Sequence, residues 1–256
     1  MKNWLGIALM CGFLIASCQP QSPEQLSPEQ INNFKTFKDW CIDREKLPPD
    51  AKHTVEVLLK KIDAKDCDRA SKKLVGITRL DLSFEQIVDL RPLSGLTKLS
   101  YLYLSGNQIV DLKPLSELTN LTFLLLHGNR IVDLKPLSGL TNLSYLALIK
   151  NQIVDLRPLS GLTKLSYLYL SSNQIADLKP LSGSTKLRHL FLDENQIIDL
   201  MPLSGLTQLY RLYLEKNQIV DLKPLSGLTN LNHLDLTGNP IPNKTCPVKP
   251  ESVCQF

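Results

Sequence analysis

Hydrophobic and polar positions recur with a period of 22 residues from Leu74 to about residue 242. One unit, residues 96–117, reads LTKLSYLYLSGNQIVDLKPLSE, and the units that follow keep its register without insertions. Within this unit, Leu102-Tyr103-Leu104 alternates with the period of two that is typical of a short strand with one buried face. A single unit is too small to bury its own apolar side chains. We therefore expect the units to stack around one continuous core and to form a parallel sheet.

Three other positions are as regular as the leucines. Asn, Asp and Pro recur in the columns that contain Asn107, Asp111 and Pro114. The Asn amide has donors and an acceptor, and we predict that it satisfies backbone groups buried at the turn after each strand. The Asp is predicted to be the N-cap of a short helical turn, with Pro near its start. A calcium site is the alternative for the Asp column, but one carboxylate per unit falls short of the roughly six to eight oxygen ligands that calcium takes.

Two residues break this regularity. Glu85 stands where the first unit would have its Asn, and Ser184 stands where the other units have a Leu. The loss of a buried Leu costs about 2–5 kcal/mol where the site cannot collapse. We therefore expect the unit of residues 184–205 to be locally the least stable one.

The pattern L-x-x-L-x-L-x-x-N-x-I resembles that of the leucine-rich repeat family, and the segment D-L-K-P-L-S-G-L-T-N-L is most similar to the 22-residue class found in bacterial internalins and in phosphatase-regulatory repeat proteins. The resemblance covers residues 74–242, as seven full units and a partial eighth. It implies an α/β solenoid, that is, an arc with a parallel sheet on its concave face and short helical turns on its convex face. No Leu-Pro-x-Thr-Gly wall-anchoring signal is present, so we expect the anchoring to differ from that of internalins.

The N-terminus is predicted to be an export signal. Trp4 to Ile15 is almost purely apolar, yet it is too short to cross a hydrocarbon core of about 30 Å as a helix. Residues 1–17 therefore indicate a secretory signal peptide. The sequence Ile15-Ala16-Ser17-Cys18 resembles a bacterial lipobox, which implies that Cys18 is acylated after cleavage. The alternative is an ordinary signal peptide with an incidental Cys.

We expect an exported, membrane-anchored lipoprotein of the cell envelope. Gln19 rather than Asp follows the predicted lipidation site, and by resemblance to lipoprotein sorting in Gram-negative bacteria this favours the outer membrane. Residues 18–30 are rich in Pro, Gln, Ser and Glu, a composition that predicts a semi-extended tether.

Residues 31–73 are predicted to form a helical N-terminal cap, with a helix from Ala51 to Ile62 that has Asp50 as its N-cap. Residues 243–256 are predicted to be a C-terminal cap. The simplest disulfide pairing of the four cysteines that flank the repeats joins Cys41 to Cys67 and Cys246 to Cys254. The other two connectivities would bridge the whole repeat region. A zinc site is a further alternative, although the sequence contains no Cys-x-x-Cys.

The outward strand positions carry an unusual number of aromatic residues. All 7 Tyr of the protein fall on predicted strand positions, where the Leu columns already supply the core. Tyr is enriched at recognition surfaces, and an exposed aromatic stripe about 34 Å long suits a protein or an extended polymer better than a small metabolite. The predicted partner-binding residues are Tyr101, Tyr103, Phe123, Tyr145, Tyr167, Tyr169, His189, Phe191, Arg211 and Tyr213.

This pattern predicts a non-catalytic protein-binding function, and a glycan-binding envelope protein is the alternative. A third interpretation is that the aromatic rings pack across the strands and only stabilise the sheet.

The sequence gives little support for other classes of function. A net charge of +4, from 29 basic and 25 acidic residues, gives no case for binding nucleic acid. No catalytic motif is present, and we expect no enzyme activity, cofactor, metal or small-molecule substrate. Asp193 and Glu215 share a column, but the Lys and Arg residues nearby indicate a solvated ion network and not a pair of catalytic carboxylates. His127, His189 and His233 lie at least two units apart, which is too far for one metal ion.

Overall fold

The computed structural model of the chain describes residues 25–256. The predicted signal peptide, Cys18 and the first part of the predicted tether lie outside the described residues.

The repeats form a parallel sheet in which strand order follows chain order. Each repeat contributes one strand of three residues, and each strand pairs in register with the strand 22 residues later, as Leu102 does with Leu124. The strands of the described chain are β1 (Arg79–Asp81), β2 (Tyr101–Tyr103), β3 (Phe123–Leu125), β4 (Tyr145–Ala147), β5 (Tyr167–Tyr169), β6 (His189–Phe191), β7 (Arg211–Tyr213), β8 (His233–Asp235) and β9 (Cys254–Gln255). The sheet is open and has β1 and β9 at its edges. The predicted α/β leucine-rich repeat solenoid is therefore confirmed.

Short 3₁₀ helices form the opposite layer of the repeats. They span Arg91–Leu93, Lys113–Leu115, Lys135–Leu137, Arg157–Leu159, Lys179–Leu181, Met201–Leu203 and Lys223–Leu225. The prediction that the Asp column provides their N-caps is wrong by one residue, because Leu112 and its equivalents hold the cap position. The Asp111 carboxylate lies just outside and accepts a hydrogen bond from the N–H of Lys113 at 2.8 Å. The Asp column is thus structural, and the side chain still satisfies the first free N–H of the turn.

The core lies between these two layers and consists of columns of Leu and Ile. The central residue of each repeat strand, for example Leu102 or Leu168, is almost completely buried, as are the Ile residues after the strands, such as Ile109. Each column runs through neighbouring repeats, so every turn covers the apolar face of the next one.

The Asn column joins each turn to the one before it, as the sequence predicts. Asn107 Nδ2 donates to the carbonyl oxygens of Leu82 and Leu104, both at 2.9 Å. Its Oδ1 accepts from the N–H of Ile87 at 2.9 Å. The same three bonds recur in the later repeats, for example around Asn151. These amides satisfy buried backbone groups that the turn leaves unpaired.

Four α-helices and a short 3₁₀ helix (Arg44–Lys46) cover the N-terminal end of the described chain. The α-helices are α1 (Pro28–Asn32), α2 (Phe37–Ile42), α3 (Pro49–Lys61) and α4 (Cys67–Gly76). A disulfide joins Cys41 in α2 to Cys67 in α4, with 5.6 Å between the Cα atoms. Glu85, the residue that replaces Asn in the first repeat, forms an ion pair with Lys61 of α3 at 2.7 Å. His53 Nε2 in the same helix lies 2.6 Å from the Glu85 carbonyl oxygen, so the cap and the first repeat share polar contacts.

Three boundaries of the predicted cap need correction. The cap is predicted to end at residue 73, but α4 continues to Gly76, into the first predicted repeat. The tether was predicted to extend to residue 30, but Ser27 and Gln30 form a reciprocal capping box that starts α1. The predicted N-cap Asp50 is also wrong, because the helix begins at Pro49 and Pro48 occupies the cap position without a side-chain bond. Pro is well suited to the first turn of a helix, where its missing N–H would have no partner.

The C-terminal cap extends the sheet by one strand. In β9, Cys254 pairs with Leu234 and Gln255 pairs with Asp235 of β8, which the sequence does not reveal. A disulfide joins Cys246 to Cys254, with 5.7 Å between the Cα atoms. Both bonds of the simplest predicted pairing are thus present.

Ser184 lies in the core in place of a Leu. The residue is only 1% exposed, and its hydroxyl oxygen has no hydrogen-bond partner among residues 25–256. The equivalent residues in the neighbouring repeats, Leu162 and Leu206, are fully buried. The site therefore combines a smaller side chain with an unsatisfied polar atom, and both features cost stability.

We expect Ser184→Leu to raise the free energy of unfolding by about 1–3 kcal/mol, because it restores the Leu column and removes the unpaired hydroxyl. Denaturant unfolding measures this change, and hydrogen exchange in residues 184–205 is expected to slow down. The exposed Ser182 is the matched control, and Ser182→Leu is expected to change stability by less than about 0.5 kcal/mol. If wild-type residues 184–205 exchange no faster than the adjacent repeats, the predicted weak point does not exist.

Candidate functional site

The outward residues of the strands form two parallel columns on the solvent-facing side of the sheet. The first column is Arg79, Tyr101, Phe123, Tyr145, Tyr167, His189, Arg211 and His233. The second column is Asp81, Tyr103, Leu125, Ala147, Tyr169, Phe191, Tyr213 and Asp235. All ten predicted partner-binding residues belong to these columns, and we call this set of ten residues the aromatic face. The alternation of each three-residue strand places them outside and the Leu between them inside.

The rings of the aromatic face stack on one another along the sheet. In the first column the ring centroids are 4.2 Å apart between Phe123 and Tyr145, and 4.6 Å apart between Tyr167 and His189. In the second column Tyr169 and Phe191 are separated by 4.4 Å. These distances follow from the spacing of about 4.8 Å between paired strands. The rings therefore stabilise the sheet through cross-strand contacts, as the third interpretation of the sequence proposes.

Stacking leaves part of the aromatic face open to solvent. Tyr101 is 43% exposed and Tyr167 is 36% exposed. Arg211 is also exposed, and the other seven residues are half-buried. Because each interior ring has neighbours on both sides, it offers its outer edge to a ligand. The face is an ordered apolar surface with polar hydroxyl groups.

A diagonal contact between two rings links the two columns. It lies next to the part of the second column that has aliphatic or small side chains in place of rings. Ala147 follows Leu125 in that column, and the ring of Tyr145 lies 5.2 Å from that of Tyr169. Burial, followed by a hydrogen bond with Tyr145, raises the pKa of the Tyr169 hydroxyl well above its usual value. Tyr169 is therefore a neutral hydrogen-bonding group at any physiological pH.

Two residues outside the predicted set pack against the rings at the two ends of the aromatic face. The Arg79 guanidinium lies 4.9 Å from the centroid of the Tyr103 ring, a cation–π arrangement. His233 packs on Tyr213 with 4.6 Å between centroids. Both residues occupy the first column, so their position could be recognised in the sequence, but their stacking depends on side-chain conformation.

The C-terminal half of the site has a charged border. The Asp193 carboxylate accepts hydrogen bonds from the Ser171 hydroxyl at 2.9 Å and from the N–H of Glu215 at 3.1 Å, while burial raises its pKa. Lys216 forms ion pairs with Glu215 at 3.1 Å and with Glu194 at 3.2 Å. The predicted ion network is therefore present around Glu194, Glu215 and Lys216, and its exposed pairs contribute little to stability. The prediction is wrong for Asp193, because this carboxylate is partly buried and is held by hydrogen bonds from Ser171 and Glu215.

Among residues 25–256 no group of three or more His, Cys, Asp or Glu side chains has a geometry that could hold a metal ion. No helix in the same range combines the length and the apolar character that a membrane span needs.

Comparison with known proteins agrees with this architecture. Residues 75–117, 119–161, 145–183 and 163–208 match the family described as leucine-rich repeats (2 copies). A search of curated protein sequences gave no match. The chain belongs to the leucine-rich repeat family, in agreement with the resemblance seen in its sequence.

Solved structures that are similar to this chain include internalins, so its repeats are of the internalin-like class. Internalin C2 of Listeria monocytogenes is 33% identical, with a TM-score of 0.72, and the match covers 78% of this chain and 89% of that one. An internalin (InlF) of the same organism is 36% identical with a TM-score of 0.64, over 70% of this chain and 53% of that one. A leucine-rich repeat protein of Leptospira interrogans is 26% identical with a TM-score of 0.58, over 69% of this chain and 53% of that one.

His189 of the aromatic face and His127, which follows β3, are expected to make stability depend on pH. Burial lowers the pKa of His127, and burial together with Arg211 and Arg188 lowers that of His189. Because the unfolded chain then binds protons more readily than the folded chain, the free energy of unfolding should decrease as the pH falls from about 7 to about 5. Thermal unfolding across this range measures the effect.

The double variant His127→Gln/His189→Gln should flatten this dependence, because Gln does not titrate. A slope that stays the same in the variant would assign the pH dependence to other groups. The pKa values of several carboxylates are also lowered, for example that of Asp81 through the N–H of Ser83. Their contribution is lost only at more acidic pH and does not affect this comparison.

Proposed function

We propose that the chain is a non-catalytic protein-binding module that holds a protein partner against its aromatic face. The observation that carries this proposal is the continuous stack of rings from Tyr101 to His189, which is partly exposed and lies outside a core that is already complete. Leucine-rich repeat proteins of the internalin type are typically protein-interaction modules, which supports this class of function.

The geometry favours binding because the surface is already ordered. Rings that are held by their neighbours lose little conformational freedom when a partner covers them, so less of the interaction energy is spent on ordering. Tyr is also common among the residues that dominate binding energy, since it combines a large apolar area with a hydroxyl group. The exposed Arg211 adds a charge with which a partner can pair.

A glycan is the second candidate ligand, and the stacking argues against it. A sugar binds an aromatic side chain by lying on the face of the ring. In the middle of the aromatic face those ring faces contact other rings. The ring centroids of Phe191 and Tyr213, for example, are 4.3 Å apart. Ring edges and hydroxyl groups are therefore the main atoms that a ligand can reach, and a protein surface matches them better than a pyranose ring does.

Replacing Tyr101 and Tyr167 by Glu tests the binding site. These residues are the most exposed rings of the face, so Tyr101→Glu/Tyr167→Glu adds charge without burying it. We expect capture of partner proteins from native cell-envelope extract, quantified by mass spectrometry, to fall about tenfold or more relative to wild type.

The matched control is Val110→Glu/Val154→Glu, which adds the same charges at two side chains off the face, each 54% exposed. This control should capture the same proteins as wild type, and thermal unfolding should show that both variants fold. Equal capture by the Tyr variant and by wild type would contradict the proposal. A glycan array probed with the same proteins tests the alternative ligand.

We further propose that the chain is an exported lipoprotein anchored through Cys18, with the outer membrane as its location. Two disulfides are in keeping with an oxidising compartment outside the cytoplasm. Several acyl chains on one Cys anchor a protein strongly, because each buried CH₂ contributes about 0.8 kcal/mol.

Metabolic labelling with palmitate tests this anchoring. The wild-type chain should incorporate the label and sediment with membranes, whereas Cys18→Ser should do neither. Cys11→Ser is the control and should behave as wild type, since Cys11 lies within the predicted signal peptide. An unlabelled wild-type chain would leave an ordinary signal peptide as the explanation.

A further inference from the structure

The repeats diverge in sequence at one place on the solvent-facing side of the sheet. The residue just before each strand is Thr or Ser in the first five repeats and is Arg188 in the sixth. The first residue of the strand is aromatic in β2 to β5, whereas in β6 to β8 it is His189, Arg211 and His233. Five repeats stack without these side chains, so stacking does not require them.

Arg188 and Arg211 are neighbours across the sheet, and we call them the arginine pair. The N–H of Arg211 donates to the carbonyl oxygen of Arg188 at 3.0 Å, so the two side chains leave adjacent points of the backbone. Burial is the largest cause of the lowered pKa of His189, and the charges of Arg211 and Arg188 follow. Both guanidinium groups therefore lie close to the ring of His189.

The arginine pair is continuous with the aromatic face. His189 stacks on Tyr167 with 4.6 Å between centroids. On its other side, Tyr210 lies edge-on to His189 with 6.1 Å between centroids, and 39% of its surface is exposed. A ligand that reaches the two guanidinium groups therefore also meets exposed aromatic rings.

Both side chains of the arginine pair are exposed, and neither forms an ion pair with a carboxylate of residues 25–256. Arg157, by contrast, pairs with Asp155 at 2.8 Å. Arg79, at the other end of the first column, lies over the ring of Tyr103. Two neighbouring guanidinium groups without acidic partners repel each other. An anion between them removes this repulsion, and a carboxylate matches the fork of N–H donors on each group.

Acidic side chains lie at the opposite ends of the same strands. Asp193 follows β6, Glu215 follows β7, and Asp235 is the last residue of β8. Lys216 pairs with Glu215, whereas the other two carboxylates form no ion pair within the described chain. A polyanion such as nucleic acid or a sulfated glycan would bring negative charge over these carboxylates as well as over the arginine pair. A protein segment has its charges at single positions, so this separation of charge favours a protein.

We propose that the arginine pair binds a carboxylate of an acidic segment in the protein partner, with apolar side chains of the same segment on Tyr167 and Tyr210. This inference rests on the proposed function and adds the chemistry that the partner presents at one end of the aromatic face. Complementary charge of this kind contributes to specificity and to the rate of association as well as to affinity.

Peptides of defined sequence test this chemistry on the purified full chain. The probes are three labelled twelve-residue peptides that contain two Phe and four Glu, four Gln or four Lys in a background of Gly and Ser. Fluorescence anisotropy measures their affinities at low and at high salt. We expect the Glu peptide to bind about fivefold or more tightly than the Gln peptide at low salt, and the Lys peptide to bind most weakly. The difference should shrink at high salt, because exposed charges are screened.

The double variant Arg188→Gln/Arg211→Gln should bind the Glu and Gln peptides within about twofold of each other, because it lacks both charges. Lys113→Gln/Lys135→Gln is the matched control. It removes two exposed charges from the layer of 3₁₀ helices and should discriminate between the peptides as wild type does. Thermal unfolding should show that both variants fold.

Nuclear magnetic resonance locates the contact in the wild-type chain. The imidazole resonances of His189 should shift when the Glu peptide is added, whereas those of His53, in α3, should not. Equal binding of the Glu and Gln peptides to wild type, or discrimination that persists in the arginine variant, would overturn the inference. A heparin fragment that binds more tightly than the Glu peptide would assign the arginine pair to a glycan and would also overturn it.

The outcomes separate this inference from the proposed function. If Tyr101→Glu/Tyr167→Glu loses its partners while wild type binds the Glu and Gln peptides equally, the aromatic face binds proteins without an acidic contact, and only the inference fails. If that variant retains its partners while the arginine pair determines peptide binding, the pair binds acidic segments by itself and the proposed function is wrong. If that variant retains its partners and the peptides bind equally, both proposals fail.

Discussion

Each turn of this chain depends on the turn before it, and the Asn column shows why. The amide of Asn107 bonds to Leu82 and Ile87 of the preceding repeat while it also closes its own turn. Without the neighbouring turn, those buried groups would be unpaired and the Leu side chains would face water. The stacking of one repeat on the next is thus the condition for every other feature, including the sheet, the 3₁₀ layer and the columns of outward side chains.

The same stacking gives the aromatic face its properties. Strands held at a fixed separation bring rings in register close enough to touch, as Phe123 and Tyr145 do. The rings are therefore part of the sheet and part of its surface at once, and stability and recognition do not exclude each other here. Contacts between neighbouring rings restrict their conformations, while the outer edges of Tyr101 and Tyr167 stay accessible to solvent. For the proposed binding function, such a surface needs little further ordering when a partner covers it.

The ends of the solenoid solve a different problem, because they have a neighbour on one side only. At the start, α2 and α4 are joined by a disulfide, and α3 is linked to the first repeat through the ion pair of Lys61 and Glu85. At the other end a ninth strand and a second disulfide cover β8. Phe84 belongs to the first repeat, where the Asn column has not yet begun. Its left-handed backbone conformation recurs at the equivalent residues of later repeats, for example Gly106 and Lys150, and only its side chain is unusual.

The sequence by itself determined the period, the core columns, the solenoid class and which residues point outward from the strands. It could do so because each unit meets the same surroundings, so one local pattern has one structural meaning throughout the repeats. The tertiary structure decided which rings contact each other, the diagonal contact of Tyr145 with Tyr169, the pairing of β9 and the helix starts at Pro28 and Pro49. It also decided that Phe84 is exposed. Those features depend on side-chain conformations and on contacts at the caps that occur only once in the chain. A periodic sequence pattern has no information about contacts that are not repeated.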